Sequence, residues 1–261
     1  MITLILINTF IFCTFCILIL WIISILIKDI SIIDTAFAPI ILLITLLSLF
    51  FSNAPIFVKG IIFISVSIWS IRLTYLMLQR KIGHGEDARY SKLRDWKKPG
   101  LHLNLFTLRQ VYLLQGIVIW CVTLPIQFVL SVDNTTTISL INKIGLVLIL
   151  IGFMWEVISD NQLDNFKNNP SQAKDFLKTG LWAYSRHPNY FGEVVFWWGI
   201  YIFSVSNYFS LISIIGPIVF TYLIFNITGV KTMDKRMSKN YPGYKDYIER
   251  TNAMIPKIFF K

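Results

Sequence analysis

The chain has 261 residues, of which 55% are hydrophobic, with a formal net charge of +10 and a mean hydropathy of +0.64. Apolar residues occur in long runs without charge, which excludes an ordinary soluble domain and indicates an integral membrane protein. Basic residues beside a bilayer attract anionic headgroups and account for the net charge, so nucleic acid is not implied. The three cysteines all lie inside apolar runs, which argues against a disulfide framework.

Seven segments have the length and composition of membrane-spanning helices. They cover residues 2–27, 35–52, 57–79, 109–130, 139–158, 189–205 and 208–229. No basic stretch precedes the first segment and no small-residue cleavage site ends it, so it is interpreted as a retained helix and not as a signal peptide. The sequence therefore predicts an all-α polytopic protein with one membrane domain over 1–261, in which N-terminal helices occupy 1–79 and a C-terminal region occupies 80–261.

Lysine and arginine are concentrated in the loop after the third span, the loop after the fifth span, and the tail. With an odd number of spans these three segments lie on one side of the membrane, which the positive-inside rule makes cytoplasmic. We therefore expect the amino terminus outside and the carboxyl terminus in the cytoplasm. Polar residues are also most frequent in these segments, so we expect the functional site where they meet.

The loop after the third span combines arginine with tyrosine. Arg89 and Arg94 flank Tyr90, and the planar fork of arginine binds phosphate bidentately and stacks on flat rings, which suits a nucleotide. The alternative is that these charges reflect membrane topology alone, because any cytoplasmic loop gathers such charges.

Two charged residues lie in or at the edge of predicted spans. Arg72, inside the third span, either snorkels to the interface or lines a cavity. Asp34, at the start of the second span, complements the helix dipole in the simplest interpretation.

Two pairs of polar residues lie one turn apart on predicted helices. Glu156 and Asp160 share a face near the end of the fifth span. Pro188 indicates a helix start, because its missing N–H costs nothing in the first turn. Asn189 and Glu193 then point the same way, and the free N–H groups of that helix start favour a phosphate or another anion nearby.

The segment 180–193 is the most informative part of the chain. It places Arg186, His187, Asn189, Tyr190 and Glu193 directly before a tryptophan-rich apolar run. Charges at or inside a bilayer cost several kcal/mol unless they meet a partner, a ligand or water. This cluster therefore indicates a functional site.

Two weaker patterns carry no site. Gly83-His84-Gly85 follows no predicted strand and lacks a third glycine at the required spacing, so it is not a dinucleotide-binding fingerprint. His84, His102 and His187 lack metal-ligand spacing among themselves, so no metal is predicted.

Four motifs together resemble a known family. They are Gly180-Leu-Trp-x-Tyr-Ser-Arg-His-Pro-Asn-Tyr-Phe-Gly-Glu193, Glu86-Asp-x-Arg-Tyr-x-x-Leu-Arg94, Glu156-x-x-Ser-Asp-x-Gln162, and Tyr241-x-x-Tyr-x-x-Tyr247 with Ile255-Pro256. In this order the chain resembles the steroid 5-alpha-reductase-like membrane proteins, in their uncharacterised bacterial branch (DUF1295). The resemblance covers about residues 80–260 and implies location in the bacterial inner membrane with an active site facing the cytoplasm.

The resemblance implies a helical membrane enzyme that uses NADPH to reduce a carbon–carbon double bond in a lipid, sterol-like or enone substrate. It puts Asn189 and Glu193 near the nicotinamide. The cofactor-binding residues that it implies are Arg89, Arg94, Asp160, Arg186, His187, Asn189, Tyr190, Glu193, Arg236 and Tyr241. Hydride addition to an activated alkene calls for a proton donor. The candidates are Tyr75, Glu156, Asp160 and Asp234.

Two other functions remain open at this point. Isoprenylcysteine and phospholipid methyltransferases resemble the chain around Arg186-His-Pro-x-Tyr190, which suggests methyl transfer from S-adenosylmethionine. The arginines favour NADPH, because its phosphates require cations, whereas a sulfonium donor prefers acids and aromatic rings. A scaffold or transporter without catalysis is the second alternative. The expected partners are the lipid bilayer and an apolar, lipid-like small molecule; the oligomeric state is not predicted.

Overall fold

The computed structural model describes residues 1–83, 85–96, 100–133, 137–169 and 175–257, and in these residues it shows helices and no β-strand. His84, considered above as a metal ligand, lies outside them. The α-helices are α1 Ile2–Ile27, α2 Ile32–Phe50, α3 Ile56–Lys81, α4 Ala88–Trp96, α5 Leu101–Thr107, α6 Leu114–Val122, α7 Leu124–Leu130, α8 Leu140–Lys167, α9 Pro188–Ser204, α10 Ile215–Leu223, α11 Val230–Asn240 and α12 Tyr244–Arg250. Short π-helical turns join α5 to α6 and α10 to α11.

Six helical stretches of the described chain are long and apolar enough to cross a membrane. They are Ile2–Ile27, Ile32–Phe50, Ile56–Lys81, Leu101–Val122, Leu140–Lys167 and Tyr208–Asn240. The predicted all-α membrane protein is thereby confirmed, and six spans agree roughly with the seven predicted. The remaining predicted span, 189–205, corresponds to α9, which has 17 residues and is therefore about 25 Å long.

The contacts divide the chain into two compact units. The first comprises Met1–Thr137 and Ser206–Gly216, and the second comprises Ile138–Val205 and Pro217–Lys261. In the first unit, a buried polar network joins α1 to α7. Thr9 donates to Oε1 of Gln127 over 2.7 Å, and Nε2 of Gln127 donates to the hydroxyl of Thr123 over 2.8 Å. A buried amide needs such partners, because no water in a bilayer core replaces them.

The second unit is organised by the close approach of α8 and α9. Gly145 and Gly152 on α8, and Gly192 and Gly199 on α9, are each seven residues apart and meet the facing backbone. A methyl group added at Gly152 would lie 2.4 Å from the amide nitrogen of Phe196. One at Gly192 would lie 2.5 Å from the amide nitrogen of Glu156. Small residues at such an interface let two membrane helices pack backbone to backbone.

The pairs of facing residues show that α8 and α9 run antiparallel. Gly145 meets Phe203, Gly152 meets Phe196, and Gly192 meets Glu156. At the far end of α9, Nδ2 of Asn142 donates to the backbone oxygens of Phe203 and Val205 over 2.7 and 2.9 Å. Asn142 thus satisfies carbonyls that the end of a helix leaves without partners. Both ends of α9 are therefore fixed by α8.

We expect Gly152→Ala to destabilise the protein, because the added methyl group overlaps the backbone of Phe196, which a side-chain movement cannot relieve. The cost of overpacking is on the order of 1–3 kcal/mol or more. Thermal unfolding of the purified protein in detergent measures it. Gly60→Ala is the matched control: Gly60 lies in α3 with nothing within 4 Å of the added methyl group. Equal unfolding temperatures of the two variants would contradict the close packing of α8 and α9.

Candidate functional site

The segment before α9 is docked onto the end of α8 by two hydrogen bonds, which follow a turn at Gly180. Gly180 has φ of 63°, a left-handed conformation that glycine adopts without strain. Next to it, the amide nitrogen of Leu181 donates to Oε1 of Gln162 over 2.9 Å, and Nε1 of Trp182 donates to the backbone oxygen of Ser159 over 3.1 Å. Gly180 and Trp182 belong to one of the family motifs quoted above, and Gln162 belongs to another. These contacts show that the two motifs meet in the structure.

Arg186 and His187 both bind the carboxylate of Asp234 on α11. The guanidinium of Arg186 donates to both carboxylate oxygens, from Nη2 over 2.7 Å and from Nε over 3.2 Å. Nε2 of His187 lies 2.9 Å from Oδ1 of Asp234, and the hydroxyl of Tyr244 donates to the same oxygen over 2.8 Å. Arg186 and His187 are buried, with 8% and 5% of their surface exposed. Asp234 thus compensates a cation and an imidazole that would be costly to bury alone.

The remaining donors of Arg186 bind the tail. Its Nη1 donates to the backbone oxygens of Ile248 and Thr251, and its backbone nitrogen donates to the oxygen of Asn252 over 2.9 Å. The hydroxyl of Ser185 donates to the backbone oxygen of Met254 over 2.7 Å. Arg186 is therefore a structural centre that joins the start of α9 to α11 and to the end of α12.

Aromatic packing completes this attachment of the tail. Phe176, Tyr244 and Tyr247 form a buried cluster, with Met237 and Tyr241 packed against it. The ring centroids of Phe176 and Tyr244 lie 5.1 Å apart in an edge-on arrangement. Burial, and then the negative charge of Asp234, raises the pKa of Tyr244 well above its ordinary value. Its hydroxyl accordingly stays protonated and acts as a donor to Asp234.

The start of α9 brings Asn189 to the acidic face of α8. Nδ2 of Asn189 donates to Oδ1 of Asp160 over 3.1 Å. Oδ1 of Asn189 is buried and accepts no hydrogen bond from any described residue. Glu156, one turn before Asp160, is also buried, with 3% of its surface exposed. An oriented amide with an oxygen left for a further donor, beside two buried acids, is the strongest sign of a ligand site in this unit.

Two other predicted site residues lie on α9 close to Asn189. The ring of Tyr190 stacks on that of His187 at 5.5 Å between centroids, with 16° between the planes. Glu193 follows Asn189 by one turn and is partly buried. The described parts of the predicted polar segments, 156–169, 175–193 and 230–257, thus contact one another within the second unit.

In the first unit, Arg89 and Tyr90 bind a carboxylate of α2. Nη2 of Arg89 lies 2.7 Å from Oδ2 of Asp34, and the hydroxyl of Tyr90 donates to Oδ1 of Asp34 over 2.9 Å. Nε of Arg89 donates to Asp87 over 3.0 Å. Burial, and then the charge of Asp34, raises the pKa of Tyr90. Asp34 lies in the first turn of α2 and, through Arg89 and Tyr90, also binds the start of α4.

Arg94 is held in a similar way. It donates to both carboxylate oxygens of Glu86 and, over 2.6 Å, to the backbone oxygen of Lys28. Tyr75, a candidate proton donor, is 60% exposed on α3 and accepts a hydrogen bond from Gln79. The cofactor roles of Arg89 and Arg94 remain predictions, and both guanidinium groups are already oriented by acids.

Arg236 and Tyr241, the last two predicted cofactor residues, lie at the surface of the tail. Arg236 is exposed on α11, and Tyr241 is half-buried against the aromatic cluster. Tyr244, Gln162 and Asp34 are not among the predicted site residues, although Tyr244 binds Asp234, Asp34 binds Arg89 and Tyr90, and Gln162 holds the segment before α9. Their signals were present: Tyr244 and Gln162 belong to the quoted motifs, and Asp34 is an acid at the edge of a span.

We expect Asp234→Asn to destabilise the attachment of the tail, because Arg186 would keep its charge while losing its buried carboxylate partner. Breaking a buried pair from one side costs about 3–5 kcal/mol, and the 16% exposure of the Asp234 side chain places the cost at the lower end. Limited proteolysis of the tail and thermal unfolding measure it. Glu249→Gln, at an exposed position of α12, is the control. An equally resistant tail in both variants would contradict the central role of Asp234.

Comparison with known proteins identifies the family. The model of a family described as protein of unknown function (DUF1295) matches residues 20–251. The chain is also 25% identical, over 225 residues, to the uncharacterized protein C594.04c of Schizosaccharomyces pombe, a match that covers 74% of this chain and 61% of that protein. The chain thus spans less than two thirds of the length of this relative.

No solved structure matches the chain. The family match includes all of α8, α9, α11 and α12, which carry the contacts described above. This chain is therefore a member of the DUF1295 family, the steroid 5-alpha-reductase-like group of membrane proteins.

Proposed function

We propose that the protein is a membrane-embedded reductase that uses NADPH to reduce a carbon–carbon double bond in an apolar, lipid-like substrate such as a sterol or another enone. The observation that carries this proposal is the orientation of Asn189. Its amide is fixed by Asp160, while its buried oxygen accepts no hydrogen bond from the described residues. A carboxamide such as that of nicotinamide carries an N–H donor that can satisfy this oxygen.

The surroundings of Asn189 suit a nicotinamide. Asn189 lies in the first turn of α9, where backbone N–H groups lack helical partners and the dipole favours negative charge. His187 and Tyr190 stack beside it and offer flat rings. Among the predicted cations, Arg186 uses its donors on Asp234 and on the tail, so its part is to hold the site together. The phosphate groups of NADPH would instead be bound by cations at the surface, among them Arg236.

Among the four candidate proton donors, the geometry favours Glu156. Asp234 accepts hydrogen bonds from the guanidinium of Arg186 and from the hydroxyl of Tyr244, which is the behaviour of an ionised carboxylate. Asp160 orients Asn189, and Tyr75 is 60% exposed on α3. Glu156 is buried between α8 and α9, one turn from Asp160. Bound NADPH would supply the hydride, and Glu156 would deliver the proton to the substrate from a site that excludes water.

We expect Asn189→Ala to weaken NADPH binding about tenfold, which corresponds to one lost hydrogen bond. The measurement is a titration of the purified full-length protein, followed by the fluorescence of NADPH. Asn8→Ala is the matched control, because Asn8 is exposed on α1 and its side chain donates only to the backbone of its own helix. Binding of S-adenosylmethionine without binding of NADPH would support the methyltransferase, and binding of neither would support a scaffold; both results contradict the proposal.

We expect Glu156→Gln to lower turnover at least a hundredfold while NADPH binding persists, because the amide has the shape of the acid and no proton to give. NADPH consumption with a panel of conjugated enones, compared with the binding titration, separates the two effects. Glu249→Gln again serves as the control. If Glu156→Gln turned over substrate at the wild-type rate, Glu156 would be excluded as the proton donor, and Asp160 would become the favoured candidate.

A further inference from the structure

Helix α11 has two chemically different sides. The inward side carries Asp234, which binds Arg186 and His187, and Met237, which packs against the aromatic cluster. The outward side carries Lys231, Lys235 and Lys239, all exposed and each four residues from the next. A helix with one packed side and one row of cations has the pattern of a segment lying along a charged surface.

None of these lysines has an anionic partner within the described chain, and two of them have no hydrogen-bond partner there. Lys231 donates to Oδ1 of Asn226 over 2.6 Å and lies over the ring of Phe225. Lys235 and Lys239 form neither a hydrogen bond nor an ion pair with any described residue. Like charges one turn apart, about 6 Å along the axis, repel each other and destabilise a helix. An anion placed between them removes that repulsion.

The apolar residues that come before α11 in the helical stretch Tyr208–Asn240 indicate the source of this anion. Ile218, Tyr222 and Ile227 are 49%, 60% and 53% exposed, as side chains that face lipid tails are. Ile227 comes four residues before Lys231, so the apolar surface gives way to lysine within about one turn. The row of cations therefore begins where the hydrocarbon region ends and the headgroup phosphates lie.

We propose that Lys235 and Lys239 form a binding site for the headgroup of an anionic phospholipid. The phosphate of the lipid lies between the two ammonium groups, and its acyl chains lie along the exposed apolar residues that come before α11. Because Asp234 belongs to the same helix, a lipid bound on the outward side also stabilises the position of the carboxylate that holds Arg186 and His187. Lipid binding at this site does not depend on the proposed reductase activity.

The test uses the full-length protein purified in detergent and depleted of lipid. It is titrated with dansyl-labelled phosphatidylglycerol, and energy transfer from the tryptophans of the protein measures binding. Each basic residue near a headgroup strengthens binding severalfold, so we expect Lys235→Ala/Lys239→Ala to weaken it about tenfold. We expect Lys235→Arg/Lys239→Arg to bind as the wild type does, because the charge is kept.

Two controls distinguish a lipid site on α11 from a general attraction between the basic tail and anionic lipid. Lys245→Ala, at an exposed lysine of α12, should bind as the wild type does. Dansyl-labelled phosphatidylcholine should bind the wild type and the double alanine variant alike. Equal phosphatidylglycerol affinity of wild type and double alanine variant would overturn the proposal, and so would an equal loss in Lys245→Ala. Full competition by millimolar inorganic phosphate would also overturn it, because the site would then bind free anions.

Discussion

The structure of the second unit depends on the contact between the backbones of α8 and α9. Four glycines spaced by seven residues remove the side chains that would otherwise separate the two helices. The antiparallel register that they set continues past Gly192 and Glu156 to the end of the interface. There it places Asp160 beside the first turn of α9, where Asn189 donates to it. A shift of the helices by one residue would separate that pair, so the packing of small residues determines the geometry of the candidate site.

A second constraint is the burial of Arg186. A guanidinium without partners is costly in an apolar surrounding, and Arg186 is satisfied by groups from three separate parts of the chain. Asp234 of α11 supplies the charge, and carbonyls of α12 and of the segment after it supply the remaining acceptors. The hydrogen bonds that compensate the buried charge of Arg186 therefore also attach the tail to the start of α9. This accounts for the polar character of a tail that follows a membrane span.

Several residues that the sequence marks as ligand-binding have a structural partner in the protein itself. Arg186 binds Asp234, Arg89 binds Asp34, and Arg94 binds Glu86. In each case an acid orients the planar guanidinium, so the arginine is pre-organised and the pair as a whole carries less positive charge than the arginine alone. The arginines are thus weaker evidence for phosphate than their number suggests. The oriented amide of Asn189 carries more of the argument, because its oxygen is buried and accepts no hydrogen bond from the described residues.

The sequence by itself determined the class of the protein, since long apolar runs have one stable solution in a bilayer, the hydrogen-bonded helix. It also determined the order of the helices and the family, and it located the start of α9 at Pro188, because proline and the polar residues around it act locally. Only the tertiary structure decided which carboxylate forms an ion pair with which arginine. Asp234 is 48 residues from Arg186, and Asp34 is 55 from Arg89, so no spacing pairs them. The sequence predicted α9 only as one span among seven, and its role as the antiparallel partner of α8 follows from glycine contacts that exist only when both helices are in place.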